Sequence, residues 1–376
     1  MKTSAPLKLS LRELDEQTYD DFVKKQSTLT FLQSVQLYRR YQIEHREAYL
    51  LGGYQGEKLL AVALCTKKYA RLGQKIFNIP RGPILDYKAS NSTEILTAFL
   101  AQIEKFLRTK NGMAVQISPN VYRKVSLKES EDKTKKPDIS DLLREDWPKP
   151  SQNLSVSLKK HGYKDLGEFE QIKWAYFLNV KNRSEDELLM SFRYDCRRSI
   201  KQNADRYHIS LRELDTSDLK PFRQLIEQTG ARRGFSNPNP SYFENMKAVF
   251  QDDVHFVLAE LHDGDKVIPV ATGMFIYSGD EVVYLYSGSD PAYNKMNPPI
   301  LVIWKMIQLA REKGCTYFNF YGTHPLPIFA DSSVFNFKQN FRGEIVEYVG
   351  TFIKPLTLAG RLYLSRLNYA EFRLVA

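Results

Sequence analysis

The segment Phe335-Asn336-Phe337-Lys338-Gln339-Asn340-Phe341-Arg342-Gly343 sets one lysine among three phenylalanines. On an irregular segment, a lysine flanked by aromatic rings can stabilise a developing oxyanion or anchor a phosphate. The plainer reading is a helix with Phe337 and Phe341 in a core and Lys338 in water. Tyr284 and Tyr286 alternate along Val-Val-Tyr-Leu-Tyr-Ser-Gly-Ser. Two tyrosines on one strand face can line a groove for peptide or sugar, or can simply pack as strand aromatics do. Arg232-Arg233-Gly234-Phe235 reads as a loop after a helix over 216–228. Its forked donors suit a diphosphate, and a solvated turn is the alternative. Arg193, Arg197 and Lys201 recur at i, i+4 and i+8 in a basic helix over 184–206. They share one face, which either follows an RNA backbone or stays in water.

The elements that must position these residues are written twice. Leu9-Ser-Leu-Arg-Glu-Leu-Asp15 returns as Ile209-Ser-Leu-Arg-Glu-Leu-Asp215, and a helical run begins after each copy. Tyr49–Leu64 and Phe256–Ala271 are both strand–turn–strand patterns with a glycine in the turn. Each half then has a long amphipathic helix, 92–110 or 298–313, followed by a short apolar strand. In the first of these helices Ile95, Leu96, Phe99, Leu100, Ile103 and Leu107 fall on one face. The pattern is that of a duplicated α/β (α+β) domain. The chain divides into a first domain over 1–150, a second over 151–350, and a strand-and-helix tail over 351–376. Residues 121–152 form a polar insertion of mixed charge in the first domain.

The chain has 376 residues, enough for two cores, and a net charge of +10. That charge points to a polyanionic partner such as RNA, a diphosphate or an anionic membrane face. Three scattered cysteines, Cys65, Cys196 and Cys315, suggest plain thiols in a reducing compartment. No metal-ligand spacing is present. Neither a membrane-spanning run nor a signal core occurs, so the expected location is cytoplasmic, with peripheral contact at the inner membrane face left open. No Walker lysine loop, nucleophile elbow or zinc-protease motif is found. The α/β pattern looks like an N-acyltransferase. However, Asp290-Pro-Ala-Tyr-Asn-Lys-Met-Asn-Pro-Pro299 has no glycine to cradle the pyrophosphate of coenzyme A.

Several stretches together resemble the Fem-type (FemABX and MurM-like) family of peptidoglycan aminoacyltransferases. They are Phe31-Leu-Gln-Ser34 with Arg39-Arg40, Arg81-Gly-Pro-Ile-Leu-Asp86, Arg197-Arg-Ser-Ile-Lys201 and Thr229–Phe235 with Tyr242-Phe243. Tyr284–Ser289, Tyr317–Gly322, Phe337-Lys338 and Gly343–Tyr348 complete the set, in family order over nearly the whole chain. The resemblance implies two fused acetyltransferase-like (GNAT) domains and transfer of an amino acid from aminoacyl-tRNA to the stem-peptide amine of a peptidoglycan precursor, lipid-linked (lipid II) or UDP-linked (UDP-MurNAc-peptide). No cofactor is implied beyond the aminoacyl-tRNA co-substrate. Phe337 and Lys338 match the catalytic pair. Tyr242 and one of Tyr284 or Tyr286 match substrate contacts, and Arg39 or Arg40 a diphosphate contact. Three departures stand out. Ser118 precedes Pro119 where the family commonly has an aspartate, and Asn237-Pro238-Asn239 stands where some members have a basic residue. Only Val254–Val270 spans the point where many members insert a long coiled-coil hairpin, so the hairpin is expected to be absent. A coenzyme A-dependent N-acyltransferase and a non-enzymatic RNA-binding protein are the alternatives.

Overall fold

The two heptad copies occupy equivalent places. Ser10–Glu13 and Ile209–Glu213 are each the edge strand of a sheet, antiparallel to the next strand, with Glu13 opposite Leu51 and Glu213 opposite Val257. The leucine that follows donates its N–H at 2.8 Å in both copies, Leu14 to the Leu50 carbonyl and Leu214 to that of Phe256. In the first copy the Asp15 carboxylate then accepts the Thr18 N–H at 2.8 Å and caps helix Glu16–Val23.

This computed structural model describes residues 7–71, 73–127, 141–149, 151–166, 172–323 and 332–366. They fall into two units, Met1–Ser126 with Leu143–Trp174 and Val346–Ala376, and Leu127–Leu142 with Ala175–Ile345. Each is α/β, and neither is one continuous stretch of chain. Residues 128–140 and 150 of the polar insertion lie outside the described residues. Within its described part are two strands, Tyr122–Leu127 and Leu142–Arg144. Among the described residues no helix is long and apolar enough to cross a membrane.

The first unit's sheet runs Ser10–Glu13, Ala48–Gln55, Lys58–Arg71, Gln74–Arg81, Gly112–Pro119, Phe352–Pro355, Lys164–Asp165. Helix Ser92–Thr109 buries the expected apolar stripe on one face of it. Gly53 lets that helix close in, since a Cβ there would lie 2.6 Å from the Phe99 ring. The other face buries Ile76, Met113, Ala114, Leu166 and Ile353, with Tyr363 and Leu364 of helix Leu358–Arg366 against them.

The second unit repeats the order with Ile209–Glu213, Val254–Asp263, Lys266–Ser278, Glu281–Ser289 and Tyr317–Gly322, followed by Trp174–Asn179 and Glu344–Tyr348. Val254–Asp263 and Lys266–Ser278 are joined through Gly264-Asp265, with Asp263 opposite Lys266, so no helical hairpin is inserted there. The expected basic helix over 184–206 is two helices, Glu185–Ser191 and Tyr194–Arg206. Phe192 breaks it, because its extended backbone lets the buried ring pack edge-on against Trp304 and Phe341.

One difference between the two units positions the site. In the first, the parallel strands Gln74–Arg81 and Gly112–Pro119 stay paired from Lys75 to Arg81. In the second, Glu281–Ser289 and Tyr317–Gly322 pair only at Glu281–Tyr317, Val282–Phe318 and Val283–Asn319. From Tyr284 onward that pairing stops. A register slip follows on the other side, where Phe275 faces Tyr284 but Met274 faces Tyr286.

Candidate active site

Two cavities open where those strands part. One, of about 300 Å³, is lined by Thr229, Arg232, Arg233, Tyr284, Ser287, Asn294, Asn297, Phe337 and Lys338 among others. Its neighbour, about 220 Å³, is lined by Tyr284, Tyr286, Ser287, Phe320, Tyr321, Gly322, Val334 and Lys338 among others. Tyr284, Ser287, Val334 and Lys338 border both.

Lys338 is 7% exposed and donates from Nζ to the Gly322 carbonyl. Burial penalises its charge and pushes the ammonium down to about 7. The segment is a helix, Ser332–Gln339, and it overturns the placement expected from residue types. Phe335 and Lys338 lie three apart on it and share a face, so the packing that buries Phe335 also buries Lys338. Phe341 is in the core, 4.9 Å from the Phe320 ring, whereas Phe337 is half-buried on the cavity wall. Tyr321 has left-handed backbone, φ 62, uncommon outside glycine. The Asn319 side-chain oxygen holds its N–H at 2.8 Å, and Asn319 donates to Glu281 at 2.8 Å. This turn sets the direction of the Gly322 carbonyl that receives Lys338.

Tyr284 stacks on Phe275 at 4.7 Å and 10°, and burial raises its phenol to about 12. Tyr286 packs edge-on against Tyr242 at 5.8 Å and Phe243 at 5.3 Å. The structure thus gathers Phe337, Lys338, Tyr284, Tyr286 and Tyr242, but the register slip separates the two tyrosines' surroundings. Arg232 and Arg233 lie in the last turn of helix Lys220–Arg233 rather than in a loop, because the helix persists until Gly234 ends it in the left-handed region at φ 74. Gly288 seats that helix, since a Cβ there would be 2.6 Å from the Leu225 carbonyl carbon. The Ser289 N–H reaches Thr229 Oγ1 at 3.2 Å, and Arg232 donates to the Ser289 carbonyl at 3.3 Å.

Asn294, Asn297 and Pro299, at the start of helix Pro298–Glu312, form a further wall. A helix N-terminus ordinarily offers free N–H groups to phosphate. Here Pro298 and Pro299 have none, Ile300 N–H is bonded to the Asn297 carbonyl at 3.1 Å, and the Asn297 amide donates to Ser199 at 3.2 Å. The usual pyrophosphate cradle of a coenzyme A enzyme therefore cannot form at this end. Thr229, Ser287, Asn294 and Asn297 were missed from sequence because they look like ordinary turn and cap residues. The proline pair was the signal available.

The remaining candidates lie elsewhere. Arg193 precedes helix Tyr194–Arg206, its N–H bonded to the Asn340 carbonyl at 2.9 Å, and its side chain and Lys201 are exposed. Arg197 is not a free member of that face. Its guanidinium donates to the Met190 and Phe192 carbonyls at 3.0 and 3.2 Å, closing the preceding helix. In the first unit Arg39 is exposed and pairs with Glu16 at 2.7 Å, while Arg40 is buried, 3.5 Å from Glu44 and over the Tyr41 ring.

The chain is similar to aminoacyltransferase FemA of Staphylococcus epidermidis, 23% identical over 421 residues, covering 93% of this chain and 96% of that one. It is similar to aminoacyltransferase FemB of the same species at 22%, covering 93% and 95%. The crystal structure of FemX shares the fold with a TM-score of 0.76 at 18% identity, over 95% of this chain and 99% of that one. The FemAB family model matches residues 14–263 and 262–359, and its two segments meet at the Asp263 turn where this chain inserts nothing. Every strand named for the two sheets except Ser10–Glu13 falls within that match, as do the cavities between the parted strands, and the chain belongs to the FemAB family.

Proposed function

We propose that this chain transfers an amino acid from aminoacyl-tRNA to a stem-peptide amine of a peptidoglycan precursor, building interpeptide bridges. The carrying observation is Lys338, a buried lysine on the wall shared by two adjoining cavities, where an acyl donor and an acceptor can meet. Support for acyl transfer comes from the names of FemA and FemB, both aminoacyltransferases.

In this reading the neutral acceptor amine attacks the ester carbonyl. The carbon–nitrogen bond forms, and negative charge develops on the carbonyl oxygen. Lys338, held by the Gly322 carbonyl, sits where its ammonium can meet that charge without solvent competing. Collapse breaks the bond to the tRNA ribose oxygen. The proton lost by the amine balances that alkoxide, so the products are an amide and uncharged tRNA. The ester arrives activated, and no metal or bound cofactor enters the reaction. Phe337 and Tyr284 shape the walls that exclude water, and Tyr286, packed against Tyr242, borders the second cavity. Arg232 and Arg233 are placed to pair with phosphate at the rim of the first. Arg193 and Lys201 provide the exposed positive face for tRNA, and Arg39 is the stronger candidate for precursor diphosphate because Arg40 is buried.

The test is incubation with a pool of charged tRNAs and peptidoglycan precursors, lipid-linked and UDP-linked, with products weighed by mass spectrometry. A precursor heavier by one aminoacyl residue supports the reading. Acetyl transfer from acetyl coenzyme A with no aminoacyl product would replace it.

A further inference from the structure

Helix Leu358–Arg366 buries one side and carries two exposed leucines on the other, with Ser365 beside them, its hydroxyl bonded to the Leu362 carbonyl at 2.9 Å. Gly360 sits so close to Gly112–Pro119 that a Cβ would lie 2.1 Å from the Met113 carbonyl oxygen, and Tyr363 and Leu364 pack against the cluster of Ile76, Met113, Ala114, Leu166 and Ile353. The opposite side carries Leu358, 72% exposed, and Leu362, 52% exposed. At 100° per residue these leucines are neighbours one turn apart. Arg361 lies on one flank and Arg366 on the other, both exposed, and the helix contains no acidic residue.

We infer that this face docks on an anionic lipid bilayer, with Leu358 and Leu362 entering the headgroup boundary and Arg361 and Arg366 meeting lipid phosphates. Charge complementarity selects this occupant. A protein groove needs only the leucines, whereas arginines on both sides of an apolar strip match the layout of a helix lying in a negatively charged interface. The net charge of +10 acts in the same direction. A nine-residue helix with two leucines makes a weak, reversible anchor. The inference stands apart from the catalytic reading, because vesicle binding is measured without turnover.

The experiment is co-sedimentation of the full chain with sucrose-loaded vesicles, either phosphatidylcholine alone or equal parts phosphatidylcholine and phosphatidylglycerol. Binding to the mixed vesicles, weakened by salt and absent with phosphatidylcholine alone, is the expected result. Leu358→Glu with Leu362→Glu should weaken it by about tenfold or more, and Arg361→Gln with Arg366→Gln should reduce its salt dependence. Unchanged far-ultraviolet circular dichroism and melting midpoint show that each variant is folded. Both leucines are solvent-facing, so neither change disturbs the core. A parent that does not sediment with the mixed vesicles overturns the inference, as does a leucine variant that binds like the parent. Sedimentation equilibrium that shows a dimer lost in the leucine variant would assign the face to a second copy instead.

Discussion

Lys338 is held against its own solvation. Its folded value of about 7 lies below the ordinary 10.5 because burial strips water from the ammonium. Between those values the unfolded chain binds more protons than the folded one, so this group's contribution to stability improves as pH rises from about 7 towards 10.5 and is worst below 7. Lys338→Met should therefore stabilise the protein near pH 6 by on the order of a few kcal/mol and stabilise it less near pH 10, seen as melting midpoints at the two pH values. Activity should move the other way. Lys338→Ala is expected to lower single-turnover transfer by about 10²–10³, the cost of one lost oxyanion donor, with precursor affinity little changed. If the ammonium is the working form, the parent's rate falls as pH passes about 7, and that limb is missing in the alanine variant. A rate that climbs through the same region would make the neutral amine a proton acceptor instead.

At the scale of elements, the basic helix divides its labour. Arg197 closes helix Glu185–Ser191 through two carbonyls, so Arg197→Gln should loosen that junction by about 1–3 kcal/mol in a denaturant titration. Arg193 and Lys201 are exposed, and Arg193→Gln with Lys201→Gln should leave stability alone. That pair should weaken tRNA binding and lower the slope of log affinity against log salt by about one to two. An unchanged slope would mean this face does not meet RNA. The parted strands are the other decisive element. Gly288 lets helix Lys220–Arg233 lie against Glu281–Ser289. Gly288→Ala should push that helix back by the clash with Leu225, costing about 1–3 kcal/mol and disturbing Arg232 and Arg233 at the cavity rim. Proteolysis within Lys220–Arg233 should become faster, and an unaltered cleavage rate would argue that the neighbours adjust.

For the whole molecule, the strands do not sort by chain order. Phe352–Pro355, near the end of the described chain, lies between Gly112–Pro119 and Lys164–Asp165, paired to both. Trp174–Asn179, which follows Lys164–Asp165, pairs with Tyr317–Gly322 in the other unit's sheet. A protein ending at Tyr348 would leave Gly112–Pro119 without the neighbour that covers it, and Phe352, fully buried, would be missing from the first core. Such a truncation should expose a long apolar edge and aggregate, and residues 1–150 alone should fail to give a cooperative melt. A soluble, cooperatively melting 1–150 fragment would show that the first unit does not need the distant strand.

What the sequence determined by itself was local or periodic. The heptad copies lie on equivalent edge strands because the same side chains impose the same alternation, although Asp15 caps an α-helix and Asp215 starts only a 3-10 turn. The stripe of Ser92–Thr109 is legible because a period of 3.6 residues has one way to face a core. The ordered motifs placed the chain in its family. Tertiary structure alone decided the rest. Whether Lys338 meets water or a cavity depends on which face of Ser332–Gln339 is buried, and Phe335 and Phe337 compete for that choice without a local rule to rank them. The break at Phe192 follows from aromatic partners more than a hundred residues away in the chain. The exchange of Phe352–Pro355 and Trp174–Asn179 is invisible to pattern, since two short apolar strands satisfy either sheet equally well until register and neighbouring side chains select one.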